Sequence, residues 1–308
     1  MSTGFAVAGV ADLGAEVNAL GYSLDDEFSL LRGTRNLRPN RHSSILARMS
    51  NIYLELTEQF NRGRLRAIIS SGQAVVLHRL AVMSKDGDWI LREDDETMEH
   101  VLGVLAQYAA RYRFGAPLDT RWFAGGWSAH FEFRHNGLRV RTDFVTRPPR
   151  INAATLDRLW SETDPHHAVI DLVPLAEIKK TNREKDYAVI GELARLMRDP
   201  HDQLLYSRSA RDLIALAQLH PQLVQNLAAT RPLLNEIATG CARLEETLDA
   251  ERRALIHFNE QRLACYRDAA HRWAAAWPEV ERKISDESLP PAHQIVVTRA
   301  LELLPFAP

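Results

Sequence analysis

The chain has little cysteine: two residues, Cys241 and Cys265, in 308. Both fall in stretches that read as helix, so no disulfide framework is expected. Reduced residues and a cytoplasmic setting are the default. Long apolar runs are missing too. The longest fall far short of the length needed to cross a bilayer, so no membrane partner is expected. The start, Met1-Ser2-Thr3-Gly4-Phe5, lacks the basic onset and long apolar region of a signal peptide. Neither sign of charge dominates. With a net charge of −2, no global field draws in nucleic acid or membrane, and any polyanion must be met by a local cluster. Repeats and low-complexity tracts are absent. So are several chemical signatures. There is no Gly-Lys-Ser/Thr phosphate loop, and Gly125-Gly126 lacks a dinucleotide fingerprint. No Ser-His-Asp or Cys-His arrangement is evident from spacing. The adjacent His166 and His167 point to different sides and have no carboxylate–His spacing that would suit zinc.

What remains is an ordinary globular composition, 45% hydrophobic and 25% charged, long enough for about two domains. Within it three aspartates stand in an order that can assemble a metal site. Asp86 and Asp88 lie in Ser84-Lys85-Asp86-Gly87-Asp88-Trp89, and Asp143 lies in Arg139-Val140-Arg141-Thr142-Asp143. Residues i and i+2 of a strand point the same way, so Asp86 and Asp88 share a face, and a neighbouring strand can bring Asp143 beside them. Crowded carboxylates repel unless a cation lies between them. Hard oxygen ligands suit Mg²⁺, which usually also contacts substrate phosphates. That chemistry points to phosphoryl or nucleotidyl transfer. Asp-Gly is also a hairpin-turn dipeptide, so Lys85-Asp86-Gly87-Asp88 has a second reading as a plain turn.

Upstream, Ser70-Ser71-Gly72-Gln73 gives a small turn leading into a helix. Downstream, Ile178-Lys179-Lys180-Thr181-Asn182-Arg183-Glu184-Lys185-Asp186 is a basic segment leading into another. The order of Ser71-Gly72, Asp86-Gly87-Asp88, Asp143 and this basic segment resembles the nucleotidyltransferase superfamily, in particular its toxin-like and abortive-infection members. The resemblance covers about residues 64–198. It departs from the family pattern at Gly87, where an apolar residue is usual. It implies an α+β fold: a mixed β-sheet core with helices, followed by a C-terminal all-α domain. It implies Mg²⁺ or Mn²⁺ held by Asp86, Asp88 and Asp143, with Asp143 also helping to deprotonate the acceptor. A nucleoside triphosphate would be bound by Ser71, Gly72, Lys179 and Arg183, with Asp186 orienting Lys179. The acceptor hydroxyl would belong to an RNA such as tRNA, a protein or a small molecule. Each part also has a plainer reading. Ser71-Gly72 can be an ordinary strand–helix turn, and Lys185-Asp186 a helix first turn. The arginine clusters at 62–66 and 134–150 can be solvated faces. A catalytically silent relative that binds nucleotide, RNA or a protein, and a purely helical scaffold, are the competing functions.

The expected organisation is a helical segment over 1–63, the core over 64–198 and a helical domain over 199–308. Ser44 to Phe60 has a helix stripe, and Arg35 to Arg41 reads as a loop. A strand is expected around Ala67-Ile69, a helix from Gln73 to Leu80, and a strand over 82–92 carrying the aspartate pair. A helix begins near Thr97 among acidic residues, with a stripe running to Ala109 and Tyr112. Two strands, 129–134 and 138–145, are joined by His135-Asn136-Gly137, with Asn-Gly as the turn. On the second strand Arg139, Arg141 and Asp143 share a face, and His130 on the first is a further candidate. Asn152 is expected to cap a helix, 169–173 to form a strand, 184–197 a helix and Ser209 to cap the next. One long helical stretch, 233–277, is expected to end at Pro278. Its apolar stripe of Leu263, Tyr266, Trp273 and Trp277 should be buried.

Overall fold

The computed structural model describes residues 51–308. The expected loop at 35–41 and the first part of the 44–60 helix lie outside that range. The first described helix, α1 (Ile52–Phe60), starts at Asn51, whose side chain accepts the Tyr53 N–H. A mixed sheet follows, built from β1 (Ala67–Ser70), β2 (Asp86–Leu91), β3 (Arg111–Tyr112), β4 (Ala129–His135) and β5 (Leu138–Val145). Its order is β1-β2-β5-β4-β3. The β2–β5 pair is parallel, and the other pairs are antiparallel. Helix α2 (Ser71–Leu77) follows β1, and α3 (Asp95–Gln107) follows β2 with Asp94 capping the Thr97 N–H. The architecture is α+β, and its C-terminal region is helical.

The β4–β5 hairpin turns as its Asn-Gly dipeptide requires. Asn136 and Gly137 both have positive φ, 52° and 80°, the pair that matches the right-handed twist of the strands. The aspartate pair is strand and not turn, because β2 begins at Asp86 and pairs on both sides. Alternation sends Trp89 and Phe144 to the face opposite the carboxylates. There their rings stack at 5.4 Å, with Phe60 edge-on to both. Each such ring stabilises the fold by about 2–3 kcal/mol when fully buried. The sheet's polar face is therefore mounted on a rigid aromatic floor.

Three expectations are corrected. The helix expected to carry a stripe to Tyr112 stops at Gln107. Ala109 takes φ 51°, and Arg111–Tyr112 pairs with the outer edge of β4. The strand expected over 169–173 is a single parallel bridge, Val169 to Ile69. The chain then enters a helix at Leu172, with Pro174 in its first turn, because Pro cannot donate to a strand ladder but fits a helix start. Between them, α4 (Thr120–Phe123) and α5 (Ala153–Glu162) precede α6 (Leu172–Ile178), and Asn152 caps α5 through the Thr155 N–H.

Pro278, expected to end a helix, lies inside one. After α7 (Glu184–Leu196), α8 (Pro200–Tyr206), α9 (Ala210–Leu219) and α10 (Pro221–Leu227), Gly240 at φ 101° opens α11 (Cys241–Ala269). The break then falls at Ala270. Pro278 sits mid-way along α12 (His271–Ile284), and α13 (Leu289–Leu303) closes the chain. Burial of Trp273, Trp277, Val280 and Ile284 on one face holds α12 across the proline. Leu263 is buried as well, and Tyr266 is half-buried. The α12 and α13 residues join the apolar cluster of the sheet, whereas α8 to α11 contribute a smaller cluster around Leu204, Leu213, Leu234 and Leu244. Among the described residues no helix is long and apolar enough to cross a membrane.

Candidate active site

Strand register decides which side chains meet. Ser70 pairs with Asp88, Asp88 with Asp143 and Asp143 with His130, so four strands contribute one polar row across the sheet. Asp86 pairs with Arg141 one step away. Adjacent strands lie about 4.8 Å apart, which makes Asp88 and Asp143 immediate neighbours. Asp88 and Asp143 are buried, and Asp86 is mostly so. Burial raises the Asp88 carboxyl well above its ordinary value, and the Asp143 and Asp86 charges raise it further. Lys179 and Arg183 oppose this. Asp86 is raised for the same reasons, burial first and then Asp143, with Arg141, Arg113 and His130 opposing.

Gly87, the departure from the family pattern, has a packing cause. A Cβ there would lie 2.4 Å from Tyr53 Cδ1 and 2.5 Å from Trp89 Cη2. Two rings already occupy the place of a side chain. Gly87→Ala is therefore expected to destabilise the fold by about 1–3 kcal/mol through overpacking, read as a lower urea midpoint. An unchanged midpoint would mean that the rings yield freely and that Gly87 has another explanation. Tyr53 also senses the site. Its hydroxyl donates to the Lys85 carbonyl at 2.9 Å. Burial, and then the charges of Asp86, Asp88 and Asp143, push its pKa up to about 12.

The turn after β1 lies against the same row. Ser71 adopts φ 47°, an uncommon conformation for a residue with a side chain. A Cβ on Gly72 would fall 2.3 Å from Ser84 Oγ and 4.0 Å from Asp88 Oδ2. The Ser84 hydroxyl thus occupies the place of a Gly72 side chain, close to the Asp88 carboxylate.

The basic segment acts on the row through the charges of Lys179 and Arg183. Lys179 is buried, with its Nζ 3.7 Å from Asp186, and Arg183 forks onto Asp186 at 2.7 Å. Thr181 Oγ donates to the same carboxylate at 2.6 Å. Burial alone would raise the Asp186 carboxyl, but the two cations and these hydrogen bonds outweigh it and hold it below the usual range. Asp186 is therefore a charged anchor between Lys179 and Arg183. Lys180 faces elsewhere, bonding to Glu177 at 2.6 Å and lying over the Tyr206 ring.

Two residues that pattern reading passed over complete the site. Arg113 lies 3.3 Å from Asp143 Oδ1. It sits just past β3, in a stretch that reads as helix, so no sequence signal pointed to it. Ser128 Oγ lies 2.8 Å from His130 Nε2, and His130 Nδ1 lies 2.7 Å from Asp143 Oδ1. An ionised Asp143 fixes Nδ1 as the donor and leaves Nε2 to accept from Ser128. Ser128 and His130 alternate with the apolar residues of β4, which was the available signal. The arginines at 64 and 66 instead pair with Asp94 and Glu96 at the start of α3, and Arg147 pairs with Glu93.

A cation fits this donor set. Asp86 Oδ1 is buried without a hydrogen-bond partner, its nearest ion-pair neighbour being Arg141 at 3.7 Å. All three ligand candidates are hard oxygens. Among the described residues no three acidic, histidine or cysteine side chains are gathered tightly enough to form a ready-made metal cage. The three carboxylates are neighbours in strand register without being gathered into such a cluster.

No family model matches the chain, and no curated protein matches it. One solved structure to which it is similar is a proposed nucleotidyltransferase from H. pylori. The likeness covers 68% of this chain and 94% of that one, at 12% identity and a TM-score of 0.32. At that level it carries no weight for fold or function.

Proposed function

We propose that this chain is a metal-dependent nucleotidyltransferase, moving a nucleoside monophosphate from a triphosphate to a hydroxyl on an RNA, a protein or a small molecule. The observation that carries the reading is the strand register that sets Asp88 beside Asp143, with the charges of Lys179 and Arg183 opposing the rise of the Asp88 carboxyl. Buried carboxylates and cations that act on one another offer the mixed charge that a metal–triphosphate complex requires.

Asp86, Asp88 and Asp143 would hold Mg²⁺ or Mn²⁺, which polarises the attacked phosphate and lowers the pKa of the acceptor hydroxyl. The chain's own groups do the rest. Lys179 and Arg183 bind the outer phosphates, held in place by Asp186. The Ser71-Gly72 turn offers backbone N–H groups to a phosphate. Asp143, steadied by His130, lies where an acceptor proton can be received. The floor of Trp89, Phe144 and Phe60 keeps water from the back of the carboxylates.

A second reading has its own observation. Arg113 already contacts Asp143, and Arg141 neighbours Asp86, so two fixed guanidinium groups could stand in for a metal. That would make the chain a catalytically silent binder of nucleotide, RNA or a protein partner. The test is incubation with each labelled triphosphate, with and without Mg²⁺ or Mn²⁺, in the presence of RNA and protein acceptors. Metal-dependent incorporation supports transfer. A rise in Tm with a triphosphate but no incorporation supports the silent reading. Neither effect removes both.

A further inference from the structure

Lys179 caps the C-terminus of α6, where the last helical carbonyls lack partners within the helix, yet each carbonyl from Glu177 to Thr181 is satisfied. Arg150 donates to Glu177 O at 2.8 Å and to Ile178 O at 3.1 Å. The Thr181 N–H takes Lys179 O at 2.9 Å. Asn259 Nδ2 takes Lys180 O at 2.8 Å, and the Tyr187 hydroxyl takes Thr181 O at 2.9 Å. Arg150 and Asn259 also bond each other, Nη1 to Oδ1, at 2.6 Å. Tyr187 belongs to the helix that follows directly. Arg150 and Asn259 come from far away in sequence, one from the loop just beyond β5 and the other from α11.

Both residues are placed at a cost. Arg150 adopts φ 65°, a conformation that a residue with a side chain rarely takes. Asn259 is one of only four buried residues in the 29-residue α11, and a buried amide is retained only when its hydrogen bonds are met. A helix needing only to pack would carry an apolar residue at that position. Arg150 follows the strand of Asp143, so the clamp ties the carboxylate row, the cationic segment and α11 together at one point.

We propose that Arg150 and Asn259 are positioning residues that clamp residues 177–180 and aim Lys179 at the carboxylates. The clamp makes the site's hold on phosphate depend on how α11 is seated. Its consequence for catalysis rests on the nucleotidyl-transfer reading; its effect on Lys179 does not.

The test uses the full chain and the variants Asn259→Ala and Arg150→Lys. Lys179 in the nucleotide-free protein is modified with an amine-reactive acylating reagent and followed by peptide mass spectrometry, with the exposed Lys283 as reference. Losing one clamp hydrogen bond should speed Lys179 modification about fivefold while Lys283 is unchanged. Triphosphate affinity, read by calorimetry, should fall by a similar factor. Lys179 modified at the wild-type rate in both variants would overturn the clamp, and so would equal acceleration of Lys179 and Lys283, which signals general loosening. Selective acceleration of Lys179 with no triphosphate bound even by wild type would leave the clamp standing and remove the nucleotidyl reading. If Asn259→Ala fails to fold, Arg150→Lys decides alone, because lysine keeps the charge but cannot span three acceptors.

Discussion

Asp88→Asn should abolish metal-dependent nucleotide incorporation and, at neutral pH, make the folded protein more stable. The two effects have one cause. Asp88 is buried between Asp86 and Asp143 with its carboxyl raised well above the ordinary value. The folded state therefore works against its ionisation. Asparagine keeps the shape and removes the charge, and with it both the proposed metal ligand and a repulsion. The gain is on the order of 1–3 kcal/mol, the size of a poorly compensated buried polar group. The sign with pH follows. Between the unfolded carboxyl's pKa of about 3.9 and its raised native value, the native state binds more protons than the unfolded state. Wild-type stability thus falls as pH rises through that window and stays lowered above it. The variant lacks this component, so the gap between the two proteins should open as pH rises and close below about pH 4. Urea midpoints for both proteins across pH give the measurement, and a gap independent of pH, or a variant less stable than wild type at neutrality, contradicts it.

Lys179→Ala should weaken triphosphate binding by about tenfold or more, the worth of one charge-assisted hydrogen bond in a shielded site. Arg183→Ala should do the same. Lys179 is buried and held by Asp186, so its charge is little screened. In the variant the Asp88 carboxyl should rise further, because Lys179 is the larger of the two cations' opposing effects on it. Residual binding in either variant should remain salt-sensitive, since one cation is left. Preference among the four bases should barely change, because these groups read charge. Titrating each triphosphate with Mg²⁺ into the three proteins is decisive: equal affinities would take the basic segment out of the site.

Much of this arrangement could be read from residues, and the rest fails for identifiable reasons. The Asn136-Gly137 turn and the i, i+2 aspartates are local signals, and each has the local structure they imply. Which strand lies beside β2 is not local. Nothing in the 86–91 stretch states that β5, rather than β1 alone, pairs with it, yet this pairing sets Asp88 against Asp143. Arg113 was hidden because Ala109 and Tyr112 continue a helical spacing that the edge of β4 overrides. The reverse error, a strand over 169–173, arose from a β-branched run too short to distinguish from a helix start. Gly87 read as a flaw in the motif because its cause, the rings of Tyr53 and Trp89, includes a residue more than thirty positions upstream. Arg150 stood out only as one of the arginines around Asp143, with nothing to mark it as a clamp, and Asn259 gave no signal, since a lone asparagine in a polar helix is unremarkable as sequence.

The parallel alignment of β2 with β5 also bears on when the site comes into being. An antiparallel neighbour can form across a short turn, but a parallel one must wait for the whole crossover between the strands, here everything from Arg92 to Gly137. The β4–β5 hairpin can close in about 1–10 μs, whereas the β2–β5 ladder pays the loop entropy of a distant contact first. During folding Asp143 therefore stays apart from Asp86 and Asp88, and solvated, until that crossover has closed. Their mutual repulsion is met only once the aromatic floor beneath them has begun to pack, so the element that does the proposed chemistry is spared from opposing the early steps of its own assembly.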